Sequence, residues 1–327
     1  MDTFRGKIAV VTGGGTGMGR ELAKQLATEG CHVALCDVSA ESMAETKAQC
    51  ERAAPSGTRV STHHCDVSEE PQVEAFRDAV RAAHATDCVH LLFNNAGIGG
   101  GGSFVTDDRA DWDKTFAVCW NGVYYCTRAF LPLLIASPDA HLVNTSSVNG
   151  FWASLGPLVP HTAYSAAKFA VKGFSEALIA DLRLHAPHVK VSVVMPGHVG
   201  TSIVTNSAVV LGRPSPKEMT TADLAPIRER MKARGLPVDA ISDDLIRAGL
   251  QQMADDFRDK APLTAAAATA LILDGVRRGA WRILVGEDAH ELDRLVRADP
   301  EAAYEPSFVT QIQGRGLFHG MLAPGSG

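Results

Sequence analysis

Short apolar runs alternate with longer amphipathic stretches through the first two-thirds of the chain. The short runs are apolar along most of their length, which predicts strands buried on both faces of a parallel sheet. The predicted strands are 8–11, 32–36, 60–65, 89–93, 141–145 and 189–195, and the predicted helices are 20–29, 40–53, 69–83, 112–135 and 163–185. Because crossovers between parallel strands are right-handed, the pattern predicts a doubly wound α/β sheet with helices on both faces.

The alternation breaks after Pro196. From there to about residue 261 the sequence has no strand signal, and Gly, Pro and charged clusters separate helical pieces at 222–233 and 242–259. Regularity returns with a predicted helix at 264–278 and a strand at 282–285. We therefore predict one domain over residues 1–327, with a helical substrate lid at about 198–261 and a polar C-terminal extension at about 287–327.

Composition and charge narrow the possible functions. Lys and Arg number 31 against 37 Asp and Glu, a net charge of −6, so non-specific nucleic-acid binding is not expected. The seven cysteines form no CxxC pair, which favours small buried side chains in a reducing compartment over disulfides or zinc. The sequence shows neither a signal-peptide pattern nor a membrane span, so we expect a cytoplasmic protein.

A glycine-rich turn follows the first predicted strand and precedes the first predicted helix. It reads Thr-Gly-Gly-Gly-Thr-Gly-Met-Gly over residues 12–19. Glycines let the backbone approach a pyrophosphate closely, and the helix N-terminus offers free N–H groups to it. An ordinary strand–helix turn would not need so many glycines, so the turn predicts dinucleotide binding.

Asp37 ends the second predicted strand, 18 residues after Gly19. A carboxylate there can accept both hydroxyls of an adenosine ribose and repels a 2′-phosphate. No Arg or Lys occurs at 14–18 or 38–39 to bind that phosphate, so NAD is expected rather than NADP. The alternative is that Asp37 caps the next helix, a role for which Ser39 competes.

Polar residues also end the third and fourth predicted strands, where ligands bind in such sheets. Asp66 could accept the adenine amino group, Asn94 and Asn95 could brace neighbouring backbone, and Gly97 would allow close approach of a cofactor. Each could be a simple turn when taken alone. Together, at successive strand ends, they favour the floor of a cofactor site.

Tyr164 and Lys168 are four residues apart on a predicted helix, so both lie on one face. A neighbouring ammonium is expected to lower the pKa of the phenol and make it usable as an acid or base. Upstream, Ser146 and Ser147 end the fifth predicted strand and can reach the same pocket, or can serve as caps.

Taken together, these residues resemble the short-chain dehydrogenase/reductase family over about 4–202, with a looser match at 264–285. The resemblance rests on the 12–19 turn, Asp66, the Asn-Asn-Ala-Gly run at 94–97, Asn121, Ser147, Tyr164, Lys168 and the Pro-Gly pair at 196–197. It implies a Rossmann-type fold and a catalytic tetrad of Asn121, Ser147, Tyr164 and Lys168. Tyr164 would be the acid/base, Ser147 would bind the substrate oxygen, Lys168 would bind the nicotinamide ribose, and Asn121 would hold a relay water.

The family also implies a set of cofactor contacts. The set comprises Gly13, Thr16, Gly17, Met18, Gly19, Asp37, Asp66, Val67, Asn95, Ala96, Gly97, Tyr164, Lys168, Pro196, Gly197, Val199 and Thr201. The expected activity is NAD-dependent interconversion of a secondary alcohol and a ketone. Rival hypotheses are a lyase, dehydratase or epimerase on the same scaffold, or a catalytically silent cofactor-binding protein.

The predicted lid carries apolar residues that a solvated loop would not need. They are Ile203, Val204, Val209, Val210, Leu211, Met219, Leu224, Ile227, Met231, Leu236, Leu245 and Met253. If they line the pocket, the substrate is a bulky apolar alcohol such as a steroid, terpenoid, aryl or long acyl alcohol; alternatively they only pack the insert onto the body.

Histidines and partner subunits complete the expectations. His161 and His198 flank the expected pocket and could touch substrate, whereas the pairs at 63–64 and at 185 and 188 lack the convergent carboxylates or cysteines of a metal site. The family resemblance also implies a homodimer or homotetramer packed through the helices at 112–135 and 163–185.

Overall fold

The computed structural model describes residues 1, 3–155, 159–233, 236 and 238–317. Strands β1 to β9 are Ile8–Thr12, His32–Asp37, Val60–His64, Leu91–Asn94, Ala140–Thr145, Val189–Pro196, Val199–Gly200, Leu263–Thr264 and Arg282–Val285. Seven of them form one parallel sheet in the order β3-β2-β1-β4-β5-β6-β9. The predicted doubly wound, Rossmann-type sheet is confirmed.

Helices cover both faces of this sheet. Helices α1 to α12 are Gly17–Thr28, Ala40–Ala53, Glu70–His84, Arg109–Phe116, Gly122–Ile135, Thr162–His185, Ile203–Val210, Thr221–Ala233, Asp243–Asp259, Ala265–Arg278, Glu287–Ala298 and Pro306–Gly314. The helix predicted at 112–135 is divided, because a π-helical turn, Ala117–Asn121, joins α4 to α5. Periodicity alone does not reveal a single wide turn.

Full burial of the central strands explains why they are apolar throughout. All five residues of β1 are buried. Val10 packs on one face of the sheet, against the layer that includes α3 and α5, while Val11 packs on the other, against α1 and α10. Alternate residues therefore serve two separate apolar layers.

The strand order reverses between β1 and β4, which are neighbours in the sheet although two strands, β2 and β3, separate them in sequence. Ligands of doubly wound sheets bind in the crevice at the carboxyl ends of strands on either side of such a reversal. The glycine-rich turn after β1 and the 94–97 run at the end of β4 border this crevice. The topology thus brings together motifs that lie about 80 residues apart in the chain.

The insert and the C-terminal extension differ from the prediction. The insert contains β7, which pairs in parallel with β8 at its base, and an additional helix, α7. Two-residue strands are too short to produce a periodic signal. The extension is not merely polar: α11 and α12 bury Leu292, Phe308 and Ile312 in a third apolar cluster together with Trp152. Residues 318–327 of the predicted extension lie outside the described residues.

Candidate active site

The turn between β1 and α1 depends on its glycines. Gly13 and Gly17 have φ of +65° and +52°, and a Cβ on Gly19 would lie 1.9 Å from the Gly13 carbonyl oxygen. Asn95 donates from Nδ2 to the Thr12 carbonyl oxygen at 3.0 Å, and Thr12 Oγ1 accepts from the backbone N–H of Asn95 at 3.0 Å. The loops after β1 and β4 are therefore one braced unit.

The first turn of α1 is open to an anion. Thr16 is the N-cap residue of α1, and its side chain accepts no hydrogen bond from the N–H groups of the first turn. Such N–H groups can bind an anion. Thr16 Oγ1 instead accepts from Asn206 Nδ2 of α7 at 2.8 Å. The glycine-rich turn thus leads from the end of β1 directly into the N-terminus of α1.

Asp37 lies at the end of β2 and is oriented by backbone donors. Its Oδ2 accepts from the Gly15 N–H at 2.9 Å and its Oδ1 from the Ser39 N–H at 3.1 Å. The alternative that Asp37 caps α2 is wrong, because Ser39 caps this helix by accepting from the Ser42 N–H at 3.2 Å. The carboxylate thus remains next to the glycine-rich turn.

Arg20 is a basic residue near this position that the sequence analysis missed. It lies one turn into α1, beyond residues 14–18 and 38–39, where a residue that binds a 2′-phosphate would be expected. Its Nε and Nη2 donate to the Gly15 carbonyl oxygen at 2.9 and 2.7 Å, and the guanidinium pairs with Glu45 at 2.8 Å. These bonds already occupy Arg20 in the structure.

Asp66 lies after β3 and already has protein donors on both carboxylate oxygens. Lys114 Nζ donates to Oδ2 at 2.6 Å and Ser68 Oγ donates to Oδ1 at 2.6 Å. Burial raises the pKa of Asp66, but these bonds outweigh it and lower the pKa below the usual value. Lys114 is 48 residues away in sequence, so no local pattern predicts this pair.

The predicted catalytic groups converge where β5 and α6 meet. Lys168 is 2% exposed, and its Nζ donates to the Thr145 carbonyl oxygen at 2.9 Å and lies 5.3 Å from the centre of the Tyr164 ring. Ser147 precedes a 3-10 turn and lies within hydrogen-bonding reach of the Tyr164 phenol. Ser146 also lines the cavity, but its Oγ donates to the Lys168 carbonyl oxygen at 2.7 Å.

The pKa values of these groups follow from burial. Burial raises the pKa of Tyr164 well above its usual value, and the nearby Ser147 hydroxyl lowers it only in part. Burial also lowers the pKa of Lys168. The expectation that the ammonium lowers the pKa of Tyr164 is wrong in this structure, because desolvation outweighs every other influence. Burial of Tyr164 thus favours the protonated phenol over the phenolate.

Asn121 ends the π-helical turn between α4 and α5, which packs against α6. Its side chain is half-buried and is not among the residues that line the main cavity. Single π-helical turns are frequent at functional sites because they change the register of a helix locally. The structure thus places Asn121 near α6 but not at the cavity wall.

A cavity of about 930 Å³ opens above Tyr164. Ten of the predicted site residues line it, namely Met18, Asn95, Gly97, Ser147, Tyr164, Lys168, Pro196, Gly197, Val199 and Thr201. Eight other predicted cofactor residues lie outside its wall, namely Gly13, Thr16, Gly17, Gly19, Asp37, Asp66, Val67 and Ala96. The cavity therefore covers the expected nicotinamide end, while the expected adenosine end borders it along β1, β2 and β3.

The insert forms the upper wall of this cavity. The predicted apolar residues that line it are Ile203, Val204, Leu211, Met219, Ile227, Met231, Leu245 and Met253. The others do not: Leu224 is fully buried, Val209 and Leu236 are exposed, and Val210 packs against the core. Some of the apolar residues of the insert thus line the cavity, whereas others pack against the body or are exposed.

The C-terminal extension supports two walls of the cavity, which the sequence did not predict. Asp288 Oδ2 accepts from the His198 N–H at 2.6 Å, and a Cβ on Gly197 would lie 2.2 Å from Asp288 Oδ1. Trp152 Nε1 donates to the Ala303 carbonyl oxygen at 2.7 Å. The extension therefore holds both the 196–198 turn and the segment after Ser147.

The two flanking histidines have different environments. His161 lines the cavity with its ring 4.7 Å from the Tyr164 ring, and burial lowers its pKa to about 4. His198 is buried away from the cavity wall, and its Nε2 donates to the Phe257 carbonyl oxygen at 2.8 Å. Of the pair, only His161 is placed to touch a ligand in this cavity.

The described part of the chain holds no group of three or more potential metal ligands, and none of its helices is long and apolar enough to cross a membrane. The seven cysteines are free, and all but Cys88 are buried. Burial raises the pKa of Cys31, Cys50 and Cys126. Thiols in this state behave as small apolar side chains.

Known proteins share this architecture. The family model described as short chain dehydrogenase matches residues 7–209. SadH of Mycobacterium tuberculosis, which its name describes as an oxidoreductase, is 34% identical over 299 residues, covering 91% of this chain and 92% of SadH.

Two solved structures are also similar. A short chain dehydrogenase/reductase from Burkholderia phymatum in complex with NAD superimposes with a TM-score of 0.73 at 30% identity, covering 94% of this chain and 98% of that chain. A metagenomic short-chain oxidoreductase in complex with NADP superimposes with a TM-score of 0.53 at 34% identity, covering 59% of this chain and 83% of that chain.

Proposed function

The chain belongs to the short chain dehydrogenase family of oxidoreductases, and we propose that it interconverts a bulky apolar secondary alcohol and its ketone with NAD as cofactor. The observation that carries the proposal is the meeting of Ser147, Tyr164 and Lys168 at the base of one apolar cavity. The same cavity is bordered by the strand ends where a dinucleotide would bind.

Each proposed catalytic residue has a role that its surroundings allow. Tyr164 exchanges a proton with the substrate oxygen, donating it during ketone reduction and accepting it during alcohol oxidation. Ser147 donates a hydrogen bond to the same oxygen and stabilises the charge that develops there. Lys168 holds its ammonium beside Tyr164, and Asn121 is the proposed holder of a relay water.

The cofactor residues fit NAD at both ends. Asp37 is oriented toward the glycine-rich turn by two backbone N–H groups, where a carboxylate can accept ribose hydroxyls and repels a 2′-phosphate. Gly197, Val199 and Thr201 would line the nicotinamide, which supplies hydride-transfer chemistry when bound. Arg20 is paired with Glu45, so it does not favour NADP in this arrangement.

The substrate class follows from the cavity wall. The insert contributes mostly aliphatic and thioether side chains, whose burial by a small polar alcohol would gain little free energy. An apolar substrate that fills this volume displaces water from the site of proton transfer. We therefore favour a steroid, terpenoid, aryl or long acyl alcohol.

Assembly and location complete the proposal. Tyr124 of α5 and Phe169 of α6 are large apolar side chains left partly exposed on the helices expected to pair two subunits. We propose a homodimer or homotetramer formed through α4, α5 and α6. A cytoplasmic location fits the free, buried cysteines.

Steady-state kinetics with a panel of secondary alcohols tests the proposal. Purified protein, NAD or NADP, and alcohols of increasing apolar size are combined while formation of reduced nicotinamide is followed by its absorbance. The proposal expects turnover with NAD and kcat/KM that rises with apolar size. Lack of cofactor reduction with every alcohol tried, or best activity on propan-2-ol, would contradict it.

A further inference from the structure

The charged residues of the cavity wall are all basic. Among the described residues that line it, the charged side chains are Lys168, Arg213 and Arg230, and no Asp or Glu lines it. The whole chain is acidic, with a net charge of −6. A wholly cationic lining is therefore a local property of this cavity and not a reflection of composition.

The two arginines lie at the opening, whereas Lys168 lies at the base. Lys168 is 2% exposed. The side chains of Arg213 and Arg230 are 43% and 51% exposed, and both belong to the insert. Their guanidinium groups therefore border the cavity at the end open to solvent.

Both guanidinium groups are held from outside the cavity. Arg213 pairs through Nη2 with Asp111 of α4, and Arg230 Nη1 lies 3.8 Å from Asp107 Oδ1. Neither carboxylate lines the cavity. An arginine has five N–H donors in a planar fork, so one carboxylate partner leaves donors for a second anion.

Apolar side chains of the insert line the same cavity as the two arginines. Leu211, Met219, Ile227 and Met231 of the insert line the wall near Arg213 and Arg230 in sequence and carry no polar group that could bind water strongly. Because most of the lining is apolar, a ligand that fills the cavity buries apolar surface over much of its length. Its far end would meet the two arginines.

Resting on the proposed function, we infer that the substrate is amphipathic: an apolar alcohol or ketone that carries a carboxylate at the end remote from the reacting carbon. The carboxylate binds Arg213 and Arg230 at the cavity opening through charge-assisted hydrogen bonds. The apolar middle contacts the insert, and the reacting oxygen meets Ser147 and Tyr164. These two arginines then act as specificity-determining residues.

The two ion pairs also suggest a simpler role, in which Arg213 and Arg230 only fasten the insert to α4 and the loop before it. The two roles predict different affinities for a neutral ligand once the arginines are removed. Loss of a fastening would weaken acidic and neutral ligands alike. Loss of a carboxylate site would weaken only the acidic one.

Calorimetric titration of the enzyme loaded with reduced NAD, which cannot accept a hydride from an alcohol, separates these roles. The ligands are 11-hydroxydodecanoate and its methyl ester, which have the same secondary alcohol and the same chain. We expect the acid to bind about tenfold more tightly at low salt, the equivalent of about 1.4 kcal/mol, and this preference to shrink at high salt.

Variants then assign the preference to residues. The double variant Arg213→Gln/Arg230→Gln should reduce the preference for the acid to less than about twofold while leaving the ester affinity unchanged. Lys217→Gln is the matched control, because it removes a positive charge from the same insert at an exposed residue that does not line the cavity. It should retain the preference.

Three results would overturn the inference: equal binding of acid and ester by the wild type, equal weakening of both by the double variant, or binding of neither ligand. Its failure is distinguishable from failure of the proposed function. If neutral secondary alcohols reduce NAD but the acid has no advantage, only the inference fails. If the acid is preferred in binding but no alcohol reduces NAD, only the proposed function fails.

Discussion

The sheet and the insert use their apolar residues in opposite ways. Every residue of β1 is buried, and Lys168 is enclosed at the base of the cavity. In α9 of the insert, only Ile246 and Ala254 are buried, whereas Leu245 is 65% exposed although it lines the cavity. In the sheet, the apolar surface is buried within a fixed framework. The insert leaves such surface available to a ligand.

This difference suits the two regions to different roles. Catalysis needs groups held in a set geometry, which the packed strand ends and α6 provide. The bulky substrate that we propose would need apolar surface that is not already buried, and the insert has such surface at the cavity wall. Regions with few buried contacts also open at lower free energy than the core, so the insert can admit a ligand without unfolding the sheet.

Removal of the Tyr164 hydroxyl should have the largest effect. Tyr164→Phe keeps the ring packing but leaves no proton carrier, so we expect kcat to fall about 100- to 10,000-fold while the Kd for NAD stays nearly constant. The control Leu245→Ala, in the insert, should change KM more than kcat. A variant that kept more than about a tenth of wild-type kcat would remove Tyr164 from the mechanism.

The neighbouring serines allow a matched comparison inside the fixed region. Ser147→Ala should lower kcat by up to about 100-fold, since one preorganised donor to the developing oxyanion is lost. Ser146→Ala loses only the bond to the Lys168 carbonyl oxygen, so it should lower the free energy of unfolding by about 1 kcal/mol and affect kcat less. The reverse ranking of kcat would assign the catalytic role to Ser146.

The preference for NAD over NADP tests the role of Asp37 at the end of β2. Asp37→Ala should lower kcat/KM for NAD about 10- to 100-fold, because hydrogen bonds from ribose hydroxyls to a charged acceptor are lost. It should raise kcat/KM for NADP, because the like charge is removed. Measurement of both cofactors with wild type and variant checks this, and a wild type that prefers NADP would contradict the assignment.

The raised pKa of Tyr164 predicts opposite pH profiles for the two directions. Below its pKa the phenol is protonated, which suits donation to a ketone, so the reduction rate should stay level near neutral pH and fall only in alkali. Oxidation needs the phenolate, so its rate should rise about tenfold per pH unit until the pKa is reached. Oxidation that is already level at pH 6 would contradict the raised pKa.

The insert should contribute least to kcat, but its amide hydrogen exchange should change most when cofactor and substrate bind. Amides of α8 and α9 are expected to exchange readily in the free enzyme and to gain protection when cofactor and substrate are bound. Amides of β1, β4 and β5 should be protected in both states. Equal protection of the insert in both states would show that it is a fixed part of the framework.

The features predicted correctly from sequence are those with local signals. Apolar runs marked the buried strands, Ser39 marked the start of α2, and the glycine-rich turn marked the junction of β1 and α1. The 203–211 segment was recognised as apolar, and the structure places most of it at the cavity.

The features that were missed depend on contacts between distant residues. Lys114 pairs with Asp66, and Asp288 holds the turn at His198, across separations of 48 and 90 residues. The direction of the Tyr164 pKa shift also required the structure, because spacing shows that Lys168 is near but not that burial outweighs it. None of these leaves a periodic pattern in the sequence.

The central claim, that Tyr164 and its neighbours support hydride transfer from a secondary alcohol, is tested most directly by isotope tracing. The enzyme is incubated with NAD and a bulky secondary alcohol deuterated at the carbinol carbon, and the recovered nicotinamide is analysed by mass spectrometry. We expect one deuterium in the reduced nicotinamide per ketone formed, and transfer about 100- to 10,000-fold slower after Tyr164→Phe. Product formation with the deuterium released to water or retained on carbon, as a lyase or dehydratase would give, would contradict it.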